Sequence, residues 1–150
     1  MDDGRVTLSG VVHVPLPPGE AFELFTPSGE RVWAEGWDPR FPVEAHEETA
    51  PGTVFETDHG GRRSTWIVAG CDPGRCITYA RVSESESAGT VMVECRSGTA
   101  AGTDAHVTYT LTALRNEARP DLARFAAGYD EFLAHWERAI ARHLAMSSPS

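Results

Sequence analysis

From Asp121 onward the apolar residues of this chain fall at Leu122, Phe125, Tyr129, Phe132, Leu133, Trp136, Ile140 and Leu144. Steps of three and four are the period of an amphipathic helix. Pro120 and Asp121 give a start signal, and Arg138, Arg142 and His143 suit the negative end of the helix dipole. The spacing predicts one continuous helix over 121–145, about 36 Å long at a rise of ~1.5 Å per residue. Phe125, Tyr129, Phe132 and Trp136 should be mostly buried, and Arg124, Glu131, Glu137 and Arg138 mostly exposed. A lone helix of this length must lay its apolar stripe on another layer.

The rest of the chain supplies that layer. Residues 5–14 alternate and are rich in β-branched types, which reads as a strand. Pro15-Leu16-Pro17-Pro18 ends it, and a short helix follows through Phe25, with a second short turn at Glu30–Trp33. Strand-like runs then follow at Val43–Glu48, Thr53–Asp58, Ser64–Cys71, Cys76–Ser83, Thr90–Arg96 and His106–Leu114, with Gly and Pro in the connections. That rhythm is an antiparallel meander. The expected fold is α+β: one curved antiparallel sheet of about seven strands around a long C-terminal helix, with two short helices after the first strand. No repeat or linker divides it, so 1–150 reads as a single domain.

Composition limits the function. The chain has 150 residues, 41% hydrophobic and 23% charged, an ordinary globular balance. Its formal net charge of −9 argues against nucleic acid and anionic membrane surfaces as partners. No apolar run reaches the ~18 residues a membrane helix needs, and no secretory signal is visible, so a cytoplasmic protein is expected. All 13 basic residues are arginine, which reads as coding bias rather than chemistry. Cys71, Cys76 and Cys95 are read as free, partly buried thiols. A Cys71–Cys76 disulfide, or a zinc site with Cys95 and a histidine, is the weaker alternative. No CxxC, HExxH, GxSxG, Walker A or GxGxxG pattern occurs, and neither metal nor cofactor is expected.

Local motifs carry a resemblance. Val14-Pro15-Leu16-Pro17-Pro18-Gly19-Glu20-Ala21-Phe22 looks like the strand-to-helix entry of the START-like superfamily, also called SRPBCC or helix-grip. Trp66-Ile67-Val68, then Asp72-Pro73-Gly74-Arg75 and Ile77-Thr78-Tyr79, resemble its W-x-V…DPP…Y hairpin, with Gly74 where a second Pro is common. Gly29-Glu30-Arg31-Val32-Trp33, Gly36-Trp37-Asp38-Pro39 and Tyr109–Leu114 are similar to an uncharacterised bacterial branch. The resemblance covers about residues 5–144. It implies a cavity between sheet and helix that holds a small hydrophobic ligand. It leaves three readings: a binding or carrier protein, a polyketide cyclase or aromatase-like enzyme, and a stress-related or chaperone-cofactor-like interaction module. A monomer or homodimer would serve any of them.

Strand parity nominates the lining. Val107, Tyr109 and Leu111 share one face of the last strand, opposite Thr108, Thr110 and Thr112, and the apolar set should point inward. By the same rule Val91, Val93 and Cys95 point inward, as do Phe55, Trp66 and Val68. Residues 76–82 are ambiguous, because Ile77, Tyr79 and Arg81 compete with Ala80 and Val82. The expected ligand-binding set is Phe55, Trp66, Tyr79, Arg81, Val93, Tyr109, Phe125 and Tyr129, with Arg81 as anchor for an acidic or phenolic group. No residue is assigned a catalytic role outright; Tyr79, Arg81 and Tyr109 are the interior polar candidates. None of the six histidines is clearly interior. An inward His or Asp beside Arg81 would favour an enzyme, and an exposed aromatic patch at Trp33 and Trp37 an interaction module.

Overall fold

The structure, a computed structural model, describes residues 4–59 and 61–147. The sequence reads as an acidic start over Met1–Arg5 and a frayed tail over Ser147–Ser150; of these, 1–3 and 148–150 lie outside the described residues. The element order is β1 (Arg5–Val14), α1 (Pro18–Glu23), a 3₁₀ turn (Gly29–Val32), β2 (Val54–His59), β3 (Arg62–Asp72), β4 (Cys76–Ser83), β5 (Ser87–Ser97), β6 (Thr103–Ala113), α2 (Arg119–Ala127) and α3 (Tyr129–Ser147), with brief 3₁₀ turns on either side of β6. The strands form one antiparallel sheet in the order β1-β6-β5-β4-β3-β2.

Alternation sets the faces, because period-two side chains leave a strand on opposite sides. Val12, Phe55, Trp66, Val68, Ile77, Tyr79, Val91, Val93, Val107, Tyr109 and Leu111 are all buried on the concave face. In β4 the ambiguity resolves toward Ile77, Tyr79 and Arg81, while Val82 is 48% exposed on the convex side. The register explains it: Arg81 pairs with Trp66, and Tyr79 with Val68 and Val91, so a row of inward neighbours is continuous across three strands.

Two expectations are corrected. Val43–Glu48 is not a strand, and the sheet has six strands rather than seven. Pro39, Pro42 and Pro51 punctuate this segment and cannot donate to a ladder. Only Arg40 pairs with β2, exchanging both backbone bonds with Glu56 at 2.8 Å. Glu48, at the end of this segment, accepts from the Ser28 hydroxyl at 2.6 Å and ties the loop to the first helical region.

The C-terminal helix is not continuous. It breaks between α2 and α3 at Gly128, whose φ and ψ are −99° and 11°. The hydrogen bonds Gly128 N–H to Arg124 O (3.1 Å) and Phe132 N–H to Gly128 O (2.9 Å) still bridge the break, so it is a bend rather than a loop. Apart from proline, glycine is the residue least favourable in a helix interior, and its backbone is the freest to bend.

The bend redistributes the stripe. α3 packs on β1, where Gly10 leaves room: a Cβ there would stand 2.5 Å from Leu133 Cδ1. Leu133 and Ile140 are therefore the deeply buried residues of α3, with Tyr129. Phe125, Phe132 and Trp136, expected to be mostly buried, are only half-buried, because they face a space between helix and sheet. Glu137, expected to be exposed, is half-buried because it accepts the His13 N–H of edge strand β1 at 2.7 Å.

Candidate functional site

The space beneath α2 and α3 is a cavity of ≈ 420 Å³. Trp66, Tyr79, Arg81, Val91, Val93, Tyr109 and Leu111 form its sheet wall, and Leu122, Phe125, Phe132 and Trp136 its helix wall. Glu30, Ala34 and Trp37 close it from the connection after α1. The exposed residues Glu35, Asp58, His59, Arg62 and Asp121 stand around the opening, where Arg62 forms an ion pair with Glu86 across the ends of two hairpins.

Of the residues nominated from sequence, Trp66, Tyr79, Arg81, Val93, Tyr109 and Phe125 meet at this cavity. Phe55 and Tyr129 do not line it. Phe55 is fully buried, stacks on Trp66 at 5.8 Å and takes the edge of Trp37 at 6.0 Å, so it supports the lining from behind. The Tyr129 hydroxyl donates to Val107 O at 2.8 Å, pinning α3 to β6.

Most polar tips among these aromatics serve the fold. The Tyr79 hydroxyl donates to Phe25 O at 2.8 Å, and the indole N–H groups of Trp33, Trp37 and Trp66 donate to Leu24 O, Pro27 O and the Thr57 hydroxyl at 2.8–3.0 Å. Buried donors are normally satisfied in this way. Burial pushes the Tyr79, Tyr109 and Tyr129 phenols well above their ordinary value, so all three stay protonated.

Three groups are left free to act on a guest. The Tyr109 hydroxyl has no hydrogen-bond partner among the described residues. Arg81 donates from one terminal nitrogen to the Ser87 hydroxyl at 2.8 Å and lies over the Trp66 ring at 5.8 Å. Its Nε is buried without a partner, and no carboxylate lies within ion-pair distance among the described residues. Glu30 is only 8% exposed, and its carboxyl makes no hydrogen bond or ion pair among the described residues. Burial holds that carboxyl well above the ordinary carboxylate range, which favours its protonated form.

Sequence reasoning missed Glu30, the serines 64, 83 and 87, and the helix residue Trp136 as lining. Glu30 had a signal: it stands three residues before Trp33, so in a 3₁₀ turn the two share a face, and Trp33 is buried. The histidines give no interior base. His13 is exposed and hydrogen-bonded to Asp104 at 2.6 Å, and His59 is at the cavity opening. All three cysteines are free, and burial raises the Cys95 thiol to about 12.

No protein-family model and no curated protein matches the sequence. Solved structures do. An uncharacterised protein from Rhizobium leguminosarum superposes with a TM-score of 0.65 at 20% identity, over 92% of this chain and 95% of that one. The ginseng major latex-like protein 151 from Panax ginseng gives 0.65 at 15%, over 94% and 99%. DynU16, a protein of the dynemicin biosynthetic locus, gives 0.60 at 18%, over 91% of this chain and 47% of that one. The fold is the START-like helix grip. In this helix grip the segment Glu30–Trp37 and the bent C-terminal helix close the cavity over the inward face of one sheet. No helix among the described residues is long and apolar enough to cross a membrane.

Proposed function

We propose that this chain is a single-domain, cytoplasmic binding or carrier protein for a small, largely apolar molecule, held between the sheet and the C-terminal helices. The observation that carries the reading is the cavity of ≈ 420 Å³ with an aromatic wall and an Arg81 guanidinium whose Nε is buried without a partner and which forms no ion pair among the described residues. That volume lies within the ~300–1,000 Å³ of ligand sites, and one or two convergent polar groups on an apolar wall fix orientation. The acidic rim disfavours a polyanion, so the guest is neutral or singly negative.

A cyclase or aromatase-like enzyme is the second reading. Glu30 favours it, because a buried carboxylic acid in a cavity is a proton donor of the kind general acid catalysis requires. The interaction-module reading loses its basis: Trp33 is 8% exposed, and Trp37 packs on Phe55 and Trp66.

The test is titration with 1-anilinonaphthalene-8-sulfonate, an aromatic anion. Saturable binding that weakens about tenfold in Arg81→Met and in Trp66→Ala supports the reading. No binding, or equal affinity in both variants while each remains folded, refutes it.

A further inference from the structure

The cavity has two polar poles. The row of Tyr79, Val91 and Tyr109 crosses the sheet beneath it, and the row of Arg81, Gly89 and Leu111 lies one step nearer the β4–β5 turn and the opening. Glu30 acts electrostatically on Tyr79 and Tyr109, and Arg81 acts on Tyr109. Glu30 and Arg81 line the same cavity and form no ion pair with each other among the described residues. Glu30, Arg81 and Tyr109 all line the cavity, with Arg81 one row nearer the β4–β5 turn than Tyr109.

A buried carboxyl without a partner costs a protein several kcal/mol at worst and stabilises nothing by itself. An apolar or amide side chain at position 30 would serve the fold at lower cost. Glu30 sits on a rigid support: it follows Gly29, where any Cβ would stand 1.7 Å from Glu23 O, so the turn packs directly on the end of α1. A polar group held this firmly, and left unsatisfied by the protein, has its partner in whatever fills the cavity.

We propose that Glu30 is the deep polar contact of the cavity, donating a hydrogen bond from its carboxylic acid to a carbonyl oxygen of a flat aromatic keto-acid whose acidic group meets Arg81. This rests on the ligand-binding reading above and names the class of ligand. A cavity of ~150 Å³ holds one benzene ring, so ≈ 420 Å³ admits about two or three fused rings. Trp37, Trp66 and Trp136 offer faces and edges to such a ring system. The Tyr109 hydroxyl lines the same cavity and can donate to a polar group of the guest.

The experiment compares two probes of nearly equal shape at pH 7, 6-acetyl-2-naphthoic acid and 6-isopropyl-2-naphthoic acid, by calorimetric titration of the whole chain. Both carry the carboxylate for Arg81, and only the first carries the carbonyl. Wild type should bind the acetyl compound about tenfold tighter, the scale of one hydrogen bond to an otherwise unpaired buried group. Glu30→Gln retains an N–H donor and should keep the preference. Glu30→Leu should reduce it to within about twofold. Equal binding of the two probes by wild type, or a preference that survives in Glu30→Leu, overturns the assignment while leaving the ligand-binding reading in place. If Glu30→Leu does not fold, Glu30→Met, which also lacks a donor, is measured in its place and must lose the preference in the same way. Failure of wild type to bind either naphthoate at millimolar concentration would instead reject the ligand-binding reading, and this proposal with it.

Discussion

Replacing Phe55 and Phe125 in turn by Ala separates support from lining. Phe55 is 0% exposed and is in ring contact with Trp37, Phe41, Trp66 and Tyr79. A buried aromatic removes roughly 150–250 Å² from water, about 4–6 kcal/mol at ~25 cal/mol per Å². Measured Phe→Ala losses of ~3–5 kcal/mol agree. Phe125 touches Tyr109, Tyr129 and Phe132 on one side and the cavity on the other. Its truncation enlarges an existing space rather than opening a new one, so half that loss, about 1.5–2.5 kcal/mol, is expected. At ~2–4 °C per kcal/mol for a domain of this size, Phe55→Ala should lower Tm by roughly 6–20 °C and Phe125→Ala by about 3–10 °C. Urea titration with matched m-values measures both. Equal losses, or a larger loss at Phe125, would show that the half-buried side of Phe125 is not facing empty space and would remove the cavity from the argument.

Tyr79→Phe should cost about 1–2 kcal/mol, because Phe25 O loses its donor, while Tyr109→Phe should cost under ~0.5 kcal/mol; chemical denaturation of the pair checks the contrast. Arg81→Met should leave stability unchanged or raise it by about 1 kcal/mol in a thermal melt, since it removes a desolvated cation without a carboxylate partner. Gly29→Ala should cost about 2 kcal/mol or more, because the clash is with backbone, read by the same melts. The folded pKa of Glu30 lies above its unfolded value near 4.5. Its favourable share of stability is therefore complete below about pH 4.5 and declines as pH rises toward the folded pKa, at up to ~1.4 kcal/mol per pH unit. Glu30→Gln should remove that decline, and a pH series of unfolding midpoints in which both proteins fall in parallel would contradict it.

The inward faces were legible where both parities differed sharply. In β6 Val107, Tyr109 and Leu111 are separated by threonines, in β5 Val91, Val93 and Cys95 alternate with Met92 and Glu94, and one buried face fixes register. Parity gives a face but not a depth, which is why Phe55 and Tyr129 share the correct side and yet stand behind the cavity. The missing seventh strand has a similar origin. Val43–Glu48 alternates, but the flanking Pro39, Pro42 and Pro51 remove ladder donors on either side of it, which a hydropathy pattern does not contain. Gly128 lies inside an unbroken three-and-four pattern, so periodicity passes over the bend that a lone glycine permits. Glu30 escaped because a charged residue in a turn ordinarily points to water, and only its spacing from Trp33 argues otherwise.

The four tryptophans, Trp33, Trp37, Trp66 and Trp136, are distributed across three separate parts of the chain, yet all gather at one place. Trp37, Trp66 and Trp136 border the cavity, and Trp33 meets Trp136 edge-on at 5.4 Å. The intrinsic emission of the folded protein is thus an optical report from a single locality, not an average over the molecule. A guest that displaces water from these indoles changes their emission colour, and one that absorbs near 340 nm quenches them by energy transfer, so extracts can be screened against the unlabelled chain. Trp66 adds a second channel: with Arg81 poised over its ring, an anion that draws the guanidinium away alters the field on that indole before any backbone atom moves.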